Sequence, residues 1–165
     1  ETQVANARVA EPQDLPPRWI WQAELIGSAF GLVMIGLAYA RARAWARVTF
    51  ATCATLLSAV LGLGGLVLAG LWGFTDHVSA WRNENLLLFS PLCLLLLPTW
   101  IGAYRTRWQP SSFAQYVALA IAALAAFAWF AKILPPFHQD NYLWIALLLP
   151  LHAALAFCAI KPARR

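Results

Sequence analysis

Long apolar runs alternate with short polar connections along the whole chain after its first two dozen residues. Five runs, 22–40, 48–72, 86–104, 114–133 and 143–160, are nearly free of charge. Each is near or above the roughly 18 apolar residues that a helix needs to cross a bilayer. The pattern predicts an all-α, polytopic membrane helix bundle of about five transmembrane helices. It also divides the chain into a polar tail, 1–21, and a transmembrane domain, 22–165. Small residues recur four apart within the runs: Gly27 and Gly31, Gly36 and Ala40, Ser58 and Gly62, Gly65 and Ala69, and Ala114, Ala118, Ala122 and Ala126. Lipid offers helices little hydrophobic reason to associate, so close backbone approach along such stripes supplies the packing. Pro91 lies near the start of the third run, where it is harmless, whereas Pro98 lies deeper and is expected to bend it. Pro150 is expected to kink the fifth run in the same way. Trp19, Trp21, Trp72, Trp81, Trp100, Trp108 and Trp144 fall near run ends, as an interfacial aromatic belt requires. Lys132, at the end of the fourth run, is expected to snorkel to the headgroups.

Composition agrees with this pattern. The chain is 61% hydrophobic and 12% charged, with mean hydropathy +0.62, which excludes an ordinary soluble domain. The net charge of +5 does not indicate nucleic acid, because its distribution has a topological explanation. Arg41, Arg43, Arg47, Arg105, Arg107, Lys161, Arg164 and Arg165 all fall on one side of the five-span arrangement. The acidic residues Glu1, Glu11, Asp14, Glu24, Asp76, Glu84 and Asp140 fall on the other side or at its edge. The Lys/Arg bias sets orientation, so the N-terminus is expected outside and the C-terminus in the cytoplasm. Residues 1–17 are polar with no apolar signal core and read as an exported linker, with a removed signal or an exported domain expected upstream. The three cysteines, Cys53, Cys93 and Cys158, lie inside runs without a CxxC pattern and read as small core residues rather than disulfide partners or zinc ligands.

Chemistry concentrates in two connections on the acidic side. The first, within "GFTDHVSAWRNENLLLFSP", carries Thr75, Asp76, His77, Asn83, Glu84 and Asn85. The second carries His138, Gln139, Asp140, Asn141 and Tyr142. Histidine suits acid/base work near neutral pH, a carboxylate can orient it, and asparagine amides can hold an acyl or phosphate oxygen. Capping accounts for part of this polarity. Asn85 precedes an apolar helix and reads as its N-cap, Asn83 stabilises the preceding turn, and Glu84 favours the positive end of the helix. Asp76, His77 and Asn83 are the remainder that capping does not need. A metal site from Asp76, His77, His138 and Asp140 would have suitable ligand types but matches no HExxH-like spacing, so neither metal nor cofactor is expected. His152, alone in the fifth run, reads either as a functional intramembrane group or as a neutral histidine bonded to a neighbouring helix. No serine lies in a GxSxG or Ser-x-x-Lys context.

The string "WGFTDH" ending one run, with "NENLLLFSPL" opening the next, resembles the C-terminal membrane part of bacterial Lnb-like proteins. The matching positions are Thr75, Asp76, His77, Asn83, Asn85, Leu86, Leu87 and Pro91. The better-known members are intramolecular transacylases, which move an acyl chain from the lipid-modified cysteine of a lipoprotein to its amino terminus. The exported domain characteristic of that group is absent from this chain. The resemblance implies a multi-pass bacterial inner-membrane protein acting on lipid or lipoprotein acyl groups at the periplasmic face. On that reading His77 and Asp76 are the catalytic candidates, and Thr75, Asn83, Asn85, His138 and Asp140 line the substrate. The expected partners are membrane lipids, a lipoprotein substrate, and an exported domain or partner subunit. A non-catalytic structural or interaction subunit of a larger membrane complex is the alternative. Transport is disfavoured because His152 is the one ionisable residue deep in a run.

Overall fold

The computed structural model describes residues 19–75, 83–134 and 139–160. Its elements are α1 (Trp19–Tyr39), α2 (Ala44–Phe74), a 3₁₀ turn Glu84–Leu87, a 3₁₀ segment Pro91–Leu96, α3 (Leu97–Gly102), α4 (Ser112–Phe130), a short 3₁₀ extension Ala131–Ile133, and α5 (Tyr142–Ile160). Among the described residues there is no strand. Five segments are long and apolar enough to cross a membrane, the third being the composite Glu84–Gly102.

α5 occupies the middle of the bundle. α1 and α4 pack on it, while α2 packs on the composite third segment. Burial follows: most of one flank of α5 is covered, from Ile145 to Ala159, whereas α1 and α2 leave Leu25, Leu32, Val60 and Val67 more than half exposed to lipid. Small residues set the closest approaches. A Cβ at Gly27 would collide with the Leu147 carbonyl oxygen and stand 2.9 Å from its carbon, and one at Gly31 would meet Ala154 and the Pro150 carbonyl at 3.2 Å. Ser58, Gly62 and Gly65 of α2 are buried against the third segment. Gly36 does not share in this packing, having no atom within 4 Å of its Cβ position. The alanine stripe of α4 also drifts: Ala114 and Ala118 are buried, but the buried face continues through Ile121, Ala125 and Ala128. A strict four-residue step overruns the 3.6-residue turn and leaves the contact face.

The third segment is broken rather than bent. Pro91 opens the Pro91–Leu96 segment and Pro98 stands in the first turn of α3, where a missing N–H removes no bond. Ser90 Oγ accepts the Leu92 N–H at 3.3 Å, which caps the second piece. The break strands the Leu88 carbonyl, and His152 Nε2–H donates to it at 2.9 Å from α5. His152 is 2% exposed and is therefore a backbone cap, which explains its position in an apolar helix. α5 continues through Pro150 as one helix.

Two tryptophans expected in the interfacial belt lie in the core instead. Trp100 is fully buried and Trp108 nearly so, each about 5.9 Å from Phe50 between ring centroids. Their polar ends are satisfied, Trp100 Nε1–H by Ser58 Oγ at 2.9 Å and Trp108 Nε1–H by the Thr99 carbonyl at 2.7 Å. A tryptophan can lie this deep when its N–H has a partner. Trp19, Trp21, Trp72 and Trp144 are exposed, and Trp81 lies outside the described residues.

Candidate functional site

The bundle end that carries Thr75 gathers the end of α2, the start of the third segment, the end of α4 with its extension, and the start of α5. Thr75 ends α2 with its hydroxyl donating to the Leu71 carbonyl. Asn83 then caps the Glu84–Leu87 turn, its Oδ1 accepting the Asn85 N–H at 3.0 Å. The capping role expected of Asn85 thus falls to Asn83. The turn begins at Glu84, so Asn83 holds the capping position, and the Asn85 side chain is released for another contact. Its Oδ1 accepts from Asn141 Nδ2 at 3.1 Å, just before α5.

Glu84 is the hub of this end. Its backbone N–H donates to Gln139 Oε1 at 2.9 Å, and its Oε1 accepts the Gln139 N–H at 2.9 Å. Its second oxygen pairs with Lys132 Nζ, which also donates to the Gln139 carbonyl at 2.7 Å. Lys132 therefore does not snorkel. Its side chain is 7% exposed and that of Glu84 is 6% exposed; a cation with a buried carboxylate and a carbonyl in reach has its charge compensated without the headgroup region. The Tyr142 ring lies 5.5 Å from the same ammonium.

These contacts tie the two polar connections together. Asn83, Glu84 and Asn85 from the first meet Gln139 and Asn141 from the second, with Lys132 clamping both. Asp140 is exposed and makes no ion pair among the described residues. Asp76, His77 and His138 lie outside the described residues. The residues whose weight sequence reasoning missed are Lys132, Gln139 and Asn141. A signal for the first was available: Glu84 and Lys132 are opposite charges at the ends of adjacent apolar runs on one side of the bundle. Asn141 is 2% exposed and its Oδ1 has no partner among the described residues, an open acceptor within the network. Glu84, by contrast, has both carboxylate oxygens engaged.

Among the described residues no group of His, Cys, Asp and Glu is arranged to hold a metal. Deeper in the bundle, Ser58, Cys93 and His152 line a cavity of about 10 Å³ with Leu61, Leu96, Ala118, Ile121 and Leu155. It is the size of about one water and too small for an acyl chain.

The family model described as the Lnb transmembrane domain matches residues 26–164. The chain belongs to the Lnb transmembrane domain family. The match begins inside α1 and runs through every later element, so it covers the bundle as a whole and not only the polar string between α2 and the third segment. No curated protein and no solved structure matches the chain. In this Lnb transmembrane domain the polar residues at the Thr75 end are therefore features of a multi-pass membrane domain, held by contacts between three of its spans.

Proposed function

We propose that this Lnb transmembrane domain is the membrane part of a bacterial inner-membrane protein acting on lipid or lipoprotein acyl groups, with the reaction at the Glu84–Lys132 end. The Lys/Arg bias orients that end toward the periplasm. The supporting observation is the lacing of Glu84 and Asn85 to Gln139 and Asn141. It holds Asn83–Asn85 beside Gln139–Asn141, the residues that follow Asp76–His77 and His138 in the sequence. In this reading His77 transfers the proton and Asp76 orients it. Asn83 and Asn85 have committed their side-chain oxygens to the Asn85 N–H and to Asn141, so only their amide NH₂ groups remain to receive an acyl oxygen. Thr75, His138 and Asp140 complete the set assigned to substrate in this reading. The nucleophile comes from the lipid, the lipoprotein amine, or an exported domain or partner subunit.

The test is acyl transfer on a diacylated lipopeptide, followed by mass spectrometry in membranes carrying the whole protein. His77→Ala should lower the rate on the order of 10²- to 10⁴-fold with folded yield in detergent unchanged. Asn85→Ala should lower it on the order of 10²-fold, with some loss of yield because Asn141 loses its acceptor. If activity and yield fall in proportion in both variants, the catalytic reading fails.

A second reading, a structural or interaction subunit, is favoured by one specific observation. Glu84, Lys132 and Asn83 are all engaged within the protein, as a docking platform would have them. Under it, His77→Ala leaves acyl transfer by the intact membrane unchanged.

A further inference from the structure

At the opposite end of the bundle the α1–α2 turn and the connection from α3 to α4 are stitched together by two arginines. Arg41 is 9% exposed; its Nη2 donates to the Ala103 carbonyl at 3.3 Å and to the Arg105 carbonyl at 3.1 Å. Its guanidinium carbon stands 4.4 Å from the Trp108 ring centroid. Arg47 Nε donates to the Tyr104 carbonyl at 3.1 Å, and its Nη1 to the Arg41 carbonyl at 3.2 Å. This stitching holds the turn that carries Arg43 beside the connection that carries Arg105 and Arg107, and all three arginines are exposed.

Among the described residues none of these three forms an ion pair. The sequence has no acidic residue between Glu24 and Asp76 or between Glu84 and Asp140, and the ion pair described above, at the other end, is the one pair among the described residues. Four arginines from two adjacent connections, with Arg47 from the first turn of α2, thus share one end of the bundle, and of these, among the described residues, only Arg41 and Arg47 make side-chain hydrogen bonds. The surroundings fix the depth. Tyr39, Trp45 and Tyr104 are 57%, 60% and 41% exposed around the cluster, and exposed Tyr and Trp belong at headgroup level. A soluble polyanion would not need an aromatic collar, whereas a lipid whose phosphate sits between such rings would use it.

We propose that Arg43, Arg105 and Arg107 form a binding site for the phosphate of an anionic phospholipid, built on the Arg41–Arg47 stitch. Guanidinium groups donate paired N–H bonds to phosphate oxygens, and juxtamembrane arginines gain affinity from an anionic leaflet. The site is independent of the acyl-group reading, because it lies at the other end of the bundle and uses none of the same residues.

The test is thermal unfolding and native mass spectrometry of the whole chain in a neutral detergent, titrated with phosphatidylglycerol, with phosphatidylcholine, or with inorganic phosphate. Each exposed arginine near an anionic headgroup is worth roughly a fivefold gain in affinity. Phosphatidylglycerol should therefore be retained over phosphatidylcholine by tenfold or more and should raise the Tm. The variant R43Q/R105Q/R107Q should lose that preference while unfolding at the wild-type temperature in phosphatidylcholine. R43K/R105K/R107K should keep part of the preference, since charge remains without the fork. Equal retention of both lipids by the wild type, or an undiminished preference in the Gln variant, overturns the proposal. An equal rise in Tm with inorganic phosphate also overturns it, by showing an anion site that does not require a lipid.

Discussion

Lys132→Met tests whether the two polar connections are clamped. Methionine keeps the length and apolar body of the lysine and removes its charge. Glu84 Oε2 then faces no cation, although Oε1 keeps the Gln139 N–H, and the Gln139 carbonyl loses the ammonium at 2.7 Å. Two unit charges about 4 Å apart attract by about 4 kcal/mol at an effective dielectric of about 20. Removing one partner of a buried pair costs about 3–5 kcal/mol, because the other charge stays buried and uncompensated. The side chains here are 7% and 6% exposed, so the buried figure applies rather than the ~0–1 kcal/mol of surface pairs. Glu84→Gln/Lys132→Met should recover about half of the loss, since glutamine still accepts the Gln139 N–H but carries no charge. The assay is a double-mutant cycle from reversible unfolding in mixed detergent micelles, repeated in high NaCl. A buried pair keeps its coupling in salt, whereas an exposed one weakens as the Debye length falls from about 10 Å at 0.1 M to about 3 Å at 1 M. A single-variant loss below about 1 kcal/mol, or a coupling that vanishes in salt, would refute the clamp.

Packing makes two further claims. Gly27→Ala places a Cβ against the Leu147 carbonyl, where backbone must move, and should cost about 1–3 kcal/mol. Gly36→Ala meets nothing within 4 Å and should be neutral or stabilising by up to ~1 kcal/mol, so similar thermal shifts for both variants in detergent would contradict the assigned α1–α5 contact. Ser58→Ala leaves the buried Trp100 N–H without its acceptor and should cost about 1–3 kcal/mol. Unfolding followed by tryptophan fluorescence would report it, and an unchanged midpoint would mean that water or another group takes over the bond.

Hydropathy made the bundle legible because a membrane span has one dominant requirement, a long uncharged run, and every candidate run met it. The meeting of the two polar connections was also readable, since an odd number of spans between them would have put them on opposite faces and the arrangement gives an even one. Individual roles were harder. Lys132 was misread because snorkelling is a rule about one side chain near an interface, and nothing local reveals that Glu84, 48 residues away, lies beside it. The cap is Asn83 rather than Asn85 because capping depends on the residue at which the first turn starts, and the turn starts at Glu84, two residues before the apolar run. Trp100 and Trp108 stand where a belt was expected, but the acceptors for their N–H groups, Ser58 and the Thr99 carbonyl, let them turn inward. His152 stood open between function and structure until the stranded Leu88 carbonyl supplied its partner.

The broken third segment explains why Glu84 reaches Lys132 at all. The facing span runs from Ser112 to Ile133, 22 residues, while the third has only 19. As continuous α-helices they would differ by about 4–5 Å in length at about 1.5 Å per residue, leaving Glu84 most of a turn short. Ten of the third segment's residues are instead 3₁₀, which rises about 2.0 Å per residue against about 1.5 Å, so they add about 5 Å and offset that difference. The devices around the break keep that stretched form. Gly65 lets the Phe89 carbonyl and Pro91 press against α2, Ser90 caps the second piece, and His152 takes the stranded carbonyl. Of the three, only the histidine looks functional in isolation, as an ionisable residue within a membrane span. Their shared effect is one of length, setting the height at which the Glu84–Gln139–Lys132 clamp closes.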